Sequence, residues 1–173
     1  MKDFLALCVT RFEALEQELN ALDAATGDGD HGATILKGLR AAAAAEDAPE
    51  KAFRRAAGGA SGSLFAQIIA ALAKVEQGSD LGTALGDAAT RITQLGQAQA
   101  GDKTLLDALF PASQAADPRA AAEAAELGRR STKDMAAKRG RAKHVAGAGV
   151  GYVDAGATSV AVLLDVFATW RGT

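Results

Sequence analysis

Leu5, Cys8, Phe12, Leu15, Leu19 and Leu22 recur at alternating steps of three and four, so all six fall on one stripe of an amphipathic helix. Helical segments are predicted again from about Ala33 to Ala45, Lys51 to Ala57, Ser63 to Glu76, Thr83 to Gln97 and Ala100 to Ala112. Two more run from Asp117 to Gly140 and from Gly156 to Trp170. Breaks fall at "EDAPE", at Gly58-Gly59, at "GSDLG" and at Pro111, which closes its helix. Alternating runs of β-branched or aromatic residues are nearly absent, so the pattern predicts an all-α chain: an antiparallel helical bundle with short connections. Phe4, Phe12, Phe65, Phe167 and Trp170 lie at helix-compatible positions and are assigned to the core.

A length of 173 residues fits a single domain, 1-173, with no internal boundary. Hydrophobic residues at 49% and charged residues at 23% indicate a globular chain rather than a disordered one. The net charge of -2 gives no basic excess, which argues against a nucleic-acid or acidic-membrane binder. Cys8 has no disulfide partner and no C-x-x-C pair offers a zinc site, as in a reducing interior. The opening "MKDFLALCVTRFEALE" breaks into charges too soon for a signal peptide, and no apolar run is long enough to span a membrane. The expected location is cytoplasmic.

The stretch "LDAATGDGDHGATILKGLR" places Asp23, Asp28 and Asp30 among glycines just ahead of a helix. Asp23 follows Leu19 by four and so borders the buried stripe, an unusual place for a carboxylate unless a positive group meets it. Carboxylates at n, n+5 and n+7 on a glycine-bearing loop can converge on a hard cation such as magnesium. His31, Gly32, Ala33 and Thr34 then open a helix whose free N–H groups favour phosphate. Cation and helix start together resolve the conflict between carboxylates and anion. On these residues alone a simpler reading stands equally: Asp28 or Asp30 is an N-cap and the glycines make a turn. A calcium EF-hand is excluded, because Ala33 and Leu39 stand where that loop needs glycine and glutamate.

The glycine-then-helix arrangement returns in "GGASGSLF", with Ser61 and Ser63, and in "GDKTLLDAL", with Gly101, Lys103 and Thr104. Neither is a Walker A loop. Lys103 reads as a solvated side chain. The segment "KRGRAKHVAGAGVGYVDAGATS" joins a basic cluster to glycines. Lys138, Arg139 and Lys143 read as a solvated face and His144 as a surface histidine, while Arg141 beside Gly140 suits a bidentate phosphate contact. Asp154 precedes the last helix as a turn or cap residue.

In this order, "LDAATGDGDHG", "GGASGSLF", "GDKTLLDAL", "GRA" and "VDAGATSVAVLL" resemble the nucleotide-binding subunit of dihydroxyacetone kinase, the DhaL family, across nearly the whole chain. The resemblance implies a barrel of eight antiparallel helices with an adenine nucleotide, ADP or ATP, and two magnesium ions at one end. It implies Asp23, Asp28 and Asp30 as magnesium ligands. His31 to Thr34 (His31, Gly32, Ala33, Thr34), Ala60, Ser61, Gly101, Thr104, Arg141, Asp154, Ala155 and Gly156 would line the nucleotide. No covalent nucleophile is implied, since phosphoryl transfer is served by positioning and charge neutralisation. In the phosphotransferase-linked members ADP is a resident coenzyme: a phosphoryl group from phosphoenolpyruvate arrives on a partner's histidine, makes ATP, and passes to dihydroxyacetone held by another subunit. The implied partners are therefore a dihydroxyacetone-binding subunit and a histidine-phosphorylated one, with no nucleic acid and no membrane.

Departures from that pattern are Ala155 where proline is common, "AKHVAGAG" after the arginine, and a somewhat short chain. The related fatty acid kinase nucleotide domain reads D-G-D-T-G-T-N where this chain has His31 after Asp30, which favours the dihydroxyacetone kinase branch. Two alternatives remain at this level: an ATP-dependent kinase for another small ketose such as erythrulose, and a non-enzymatic regulatory binding module.

Overall fold

The computed structural model describes residues 1–172 and contains eight α-helices. They are α1 (Lys2–Ala24), α2 (His31–Ala44), α3 (Pro49–Ala57), α4 (Gly59–Glu76), α5 (Leu81–Gly96), α6 (Leu106–Ala112), α7 (Pro118–Ser131) and α8 (Ala155–Gly172). Each helix packs on the next and α8 closes on α1, which makes a ring, and α6 also reaches α8. No strand occurs among the described residues. The all-α barrel expected from the sequence is the observed architecture.

The predicted stripe of α1 does face inward: Leu5, Cys8, Phe12 and Leu19 are buried with Phe4, while Leu15 is partly buried. Phe4 meets Phe167 of α8 edge-on at 5.3 Å between ring centroids, and Trp170 packs beside both. Burial pushes the Cys8 thiol pKa far up, so it behaves as a small apolar group. Two glycines let backbones touch. A Cβ on Gly32 of α2 would stand 2.3 Å from the Glu16 carbonyl oxygen of α1, and one on Gly128 of α7 would stand 2.1 Å from that of Asp107 in α6. No helix among the described residues is long and apolar enough to cross a membrane.

Three local expectations are corrected. The helix predicted from Asp117 to Gly140 stops at Ser131, with one 3-10 turn over Thr132–Asp134. Beyond it the chain is a looped segment with short 3-10 turns at Ala142–His144 and Ala146–Gly149. Thr132 is the reason: its hydroxyl accepts the Asp154 N–H at 2.9 Å, so a tertiary junction replaces the next helical turn. Pro111 lies inside α6 rather than closing it; it stands one residue before the last, Ala112, so its missing N–H costs only the bond to the Asp107 carbonyl in the final turn. Gly101 to Leu105 form a turn before α6, with Lys103 at φ +59°, so "GDKT" does not itself open the helix.

Candidate functional site

Because the ring alternates in direction, the C-terminal ends of α1 and α3 meet the N-terminal ends of α2, α4 and α8 and the turn before α6 at one end. They line a cavity of about 540 Å³ there. Of the residues singled out in the sequence, Asp23, Asp30, His31, Thr34, Ala60, Ser61, Thr104, Arg141, Asp154, Ala155 and Gly156 all border it. Gly32, Ala33, Gly101 and Asp28 do not. Gly32 serves the α1–α2 contact described above, and the Ala33 N–H is taken by the Asn20 side chain at 3.2 Å. Asp28 stands at the mouth.

The acidic loop is built from the end of α1. Asp23 Oδ2 accepts the N–H groups of Gly29 at 2.9 Å and Asp30 at 3.1 Å, folding the loop back over the helix end. Gly29 supports this path with φ +79°. Asp30 occupies the N-cap position of α2, but its side chain makes no cap bond. The simple cap reading therefore fails for Asp30, and its carboxylate is available to a ligand. Asp23, Asp28 and Asp30 each present an oxygen, and these atoms lie within 4.8 Å of one another. Three hard oxygen donors so placed fit a magnesium-type cation.

Arg141 reaches this cluster from the looped segment. Its Nη1 donates to Asp28 Oδ2, and its Nη2 lies 3.9 Å from Asp23 Oδ2. Burial works to raise the Asp28 pKa, but the Arg141 charge and hydrogen bonds from Asp30 and Arg141 outweigh it, so the net shift is downward. Asp30 moves the other way, raised by burial and then by the neighbouring Asp28 charge.

Helix starts supply the opposite polarity. Neither α2 nor α4 is capped by its own N-cap residue, Asn20 taking only the Ala33 N–H of α2, and Gly58 and Gly59 turn the chain into α4 with positive φ. At α8, Asp154 Oδ2 caps the Ala157 N–H at 2.7 Å, leaving the first N–H groups of the helix at the cavity. The turn before α6 is different: Asp107 accepts from Gly101 N–H at 2.5 Å and Thr104 N–H at 2.7 Å, so these two donors are already used.

Three further polar groups, His31, Asp154 and Lys103, line the cavity. His31 is buried, its Nε2 2.8 Å from Ser159 Oγ and its ring 5.9 Å from that of Phe65, and burial lowers its pKa to about 4. It is a neutral wall of the cavity. Burial likewise raises the Asp154 carboxyl pKa to about 6. Lys103, expected in solvent, is 3% exposed, and its ammonium donates to the carbonyls of Thr132 and Tyr152. Burial lowers its pKa while the charges of Asp154, Asp107 and Asp134 hold it up.

Sequence reading thus missed Lys103 and Asp107 as builders of this end. Thr104-Leu105-Leu106-Asp107 carried a usable signal, since an acid three residues after a threonine can reach back to its N–H. Lys138 and Arg139 are exposed as expected, yet both lie within 3.7 Å of the buried Asp102 carboxylate, which anchors the basic segment. His144 is exposed, as read.

Residues 25–169 match the family model described as the DAK2 domain. The chain is 37% identical to a D-erythrulose kinase of Mycolicibacterium smegmatis, over 85% of this chain and 31% of that protein. It is 33% identical to a dihydroxyacetone kinase of Citrobacter freundii, over 89% of this chain and 32% of that protein. It therefore spans about a third of the length of the curated relatives it matches. The solved C. freundii dihydroxyacetone kinase in complex with AMP-PNP and Mg2+ superposes with a TM-score of 0.72 at 27% identity, over 98% of this chain and 33% of that one.

Proposed function

The chain belongs to the DAK2 domain family, and from that premise we propose that residues 1-173 are one nucleotide-binding domain of a small-ketone kinase. It binds a magnesium–adenine nucleotide in the end cavity for phosphoryl transfer to dihydroxyacetone held by a partner subunit. The observation that carries this reading is the convergence of a three-carboxylate cluster, two of whose members (Asp23 and Asp30) line the wall, and three helix N-termini on one cavity of about 540 Å³. Carboxylates suit the cation and helix starts suit phosphate. The C. freundii kinase with the same fold was solved with AMP-PNP and Mg2+.

A bound magnesium nucleotide supplies the phosphoryl group and neutralises its own charge. The remaining work falls to side chains of this domain. Asp23, Asp28 and Asp30 hold the cation. The N–H groups at Ala60 and Ser61, at His31, and at Ala155 and Gly156 hold phosphate oxygens. Arg141 at the mouth neutralises charge on the outermost phosphate. His31, kept uncharged by burial, shapes the cavity without adding a proton source at neutral pH. No covalent nucleophile is required of this domain.

In the first form of the reading ADP stays bound as a coenzyme and is recharged by a histidine-phosphorylated partner of the phosphoenolpyruvate-dependent phosphotransferase type. In the second, free ATP is the donor and the acceptor extends to erythrulose. The AMP-PNP complex of the structural relative and the erythrulose kinases among the sequence relatives favour that second form. One experiment tests the reading and separates its forms: denature the purified protein, identify any released small molecule by mass spectrometry, and count magnesium. Stoichiometric ADP with magnesium supports the coenzyme form. An empty protein that takes up and exchanges ATP with magnesium supports the second, and no nucleotide binding under either condition refutes both.

A further inference from the structure

Arg141 and a divalent cation claim the same carboxylates. Its guanidinium sits on Asp28 Oδ2 and near Asp23 Oδ2, two of the three carboxylates whose oxygens cluster within 4.8 Å. The pairing joins positions 113 residues apart, so it is a tertiary contact and not a local turn. We propose that Arg141 is an internal counter-ion that a cation must displace and that nucleotide phosphates then receive, so that cation and nucleotide bind cooperatively.

Three observations support the exchange, which rests on the nucleotide reading above. First, most of the cluster is held without Arg141. Asp23 is fixed by the Gly29 and Asp30 N–H groups, which ties the Asp30 backbone to it, so only the exposed Asp28 carboxylate loses its partner when the arginine leaves. Second, Arg141 has somewhere to go: its side chain is 60% exposed, it borders the cavity, and it follows Gly140 at φ +69°. Third, both groups are positive and repel each other strongly across a cluster only 4.8 Å wide, whereas a phosphate offers the guanidinium a bidentate partner. A cation alone must evict the arginine with nothing to receive it. A cation arriving with nucleotide brings that acceptor, and linkage makes the effect reciprocal.

The test is Mn2+ binding by electron paramagnetic resonance without nucleotide, and ADP binding by calorimetry at saturating Mn2+. Both are measured for wild type, Arg141→Gln and Lys143→Gln, the last being an equal charge change on the same exposed segment. The exchange predicts that Arg141→Gln binds Mn2+ alone roughly fivefold tighter, the scale of one partly exposed ion pair. It predicts ADP binding weakened by at least that factor, and Lys143→Gln within about twofold of wild type on both. A merely structural role would weaken both ligands together. Unchanged or weaker Mn2+ binding in Arg141→Gln, with wild type still binding ADP and Mn2+, overturns the exchange and leaves the nucleotide reading in place. Wild type binding neither ligand overturns both.

Discussion

At Asp30 the backbone takes the N-cap position of α2 while the carboxylate stays off the helix N–H groups. Burial and the neighbouring Asp28 charge raise its pKa, so in the folded protein the ionised form is disfavoured. Asp30→Ala is therefore expected to abolish magnesium-dependent nucleotide binding without lowering the urea midpoint, a split that calorimetry and denaturation together would check. His31 makes a pH prediction. Its folded pKa of about 4 lies below the ordinary 6.5, so the unfolded chain takes up the proton first. Stability from the neutral ring is present above pH 6.5 and lost as pH falls toward 4. Between pH 7 and pH 5 the metal-free wild type should lose about 2 kcal/mol more than His31→Asn, read from urea unfolding at each pH. Asp154 works in the opposite sense, since its raised pKa favours the folded state as pH falls through about 6. At this scale the sequence was readable where residue type alone carries meaning: aspartates spaced along one glycine-bearing loop, an arginine beside a glycine. Lys103 was misread because a lysine's burial depends on carbonyls contributed by Thr132 and Tyr152, far along the chain.

Among the elements, those with strong periodicity and local punctuation were legible. α1 showed its stripe, α3 its Gly58 stop and α7 its start at Asp117, which caps the Ala120 N–H, whereas α5 begins at Leu81, ahead of the expected Thr83, because Asp80 caps it through the Thr83 N–H. The end of α7 was not, because alanine-rich and charged residues continue a helical pattern past Ser131 and tertiary contacts, of Thr132 with Asp154 and Lys103 and of Lys138 with Asp102, stop it. Lys103 belongs to the same junction, tying the end of α7 to the start of α8. Lys103→Met would take the ammonium from both carbonyls, leaving Thr132 only the Met135 N–H, and should cost about 1–3 kcal/mol in urea unfolding. The two backbone contacts made through glycine give a second check. Gly128→Ala would press a methyl into the Asp107 carbonyl, and overpacking of this kind costs about 1–3 kcal/mol. A thermal melt indistinguishable from wild type would show that α6 and α7 do not approach as described.

Across the whole molecule, the ring of alternating helices gathers several helix starts at one end and puts the acidic loop among them. Hydrophobic spacing made the all-α class legible, while ring closure of α8 on α1 depends on contacts that no local pattern records. The candidate site divides in the same way. Its carboxylates and helix starts stood in the sequence, but which N–H groups remain free was decided by Asn20 and Asp107, each satisfying donors that the glycine patterns alone would have assigned to phosphate. The central claim is that carboxylates and helix starts act together, through a cation, on one nucleotide. Calorimetric titration of ADP into the protein with magnesium and again with excess chelator tests it most directly. Saturable one-to-one binding with magnesium, lost in chelator, is the expected result; equal affinity in both, or no binding in either, would refute a cation-mediated nucleotide site.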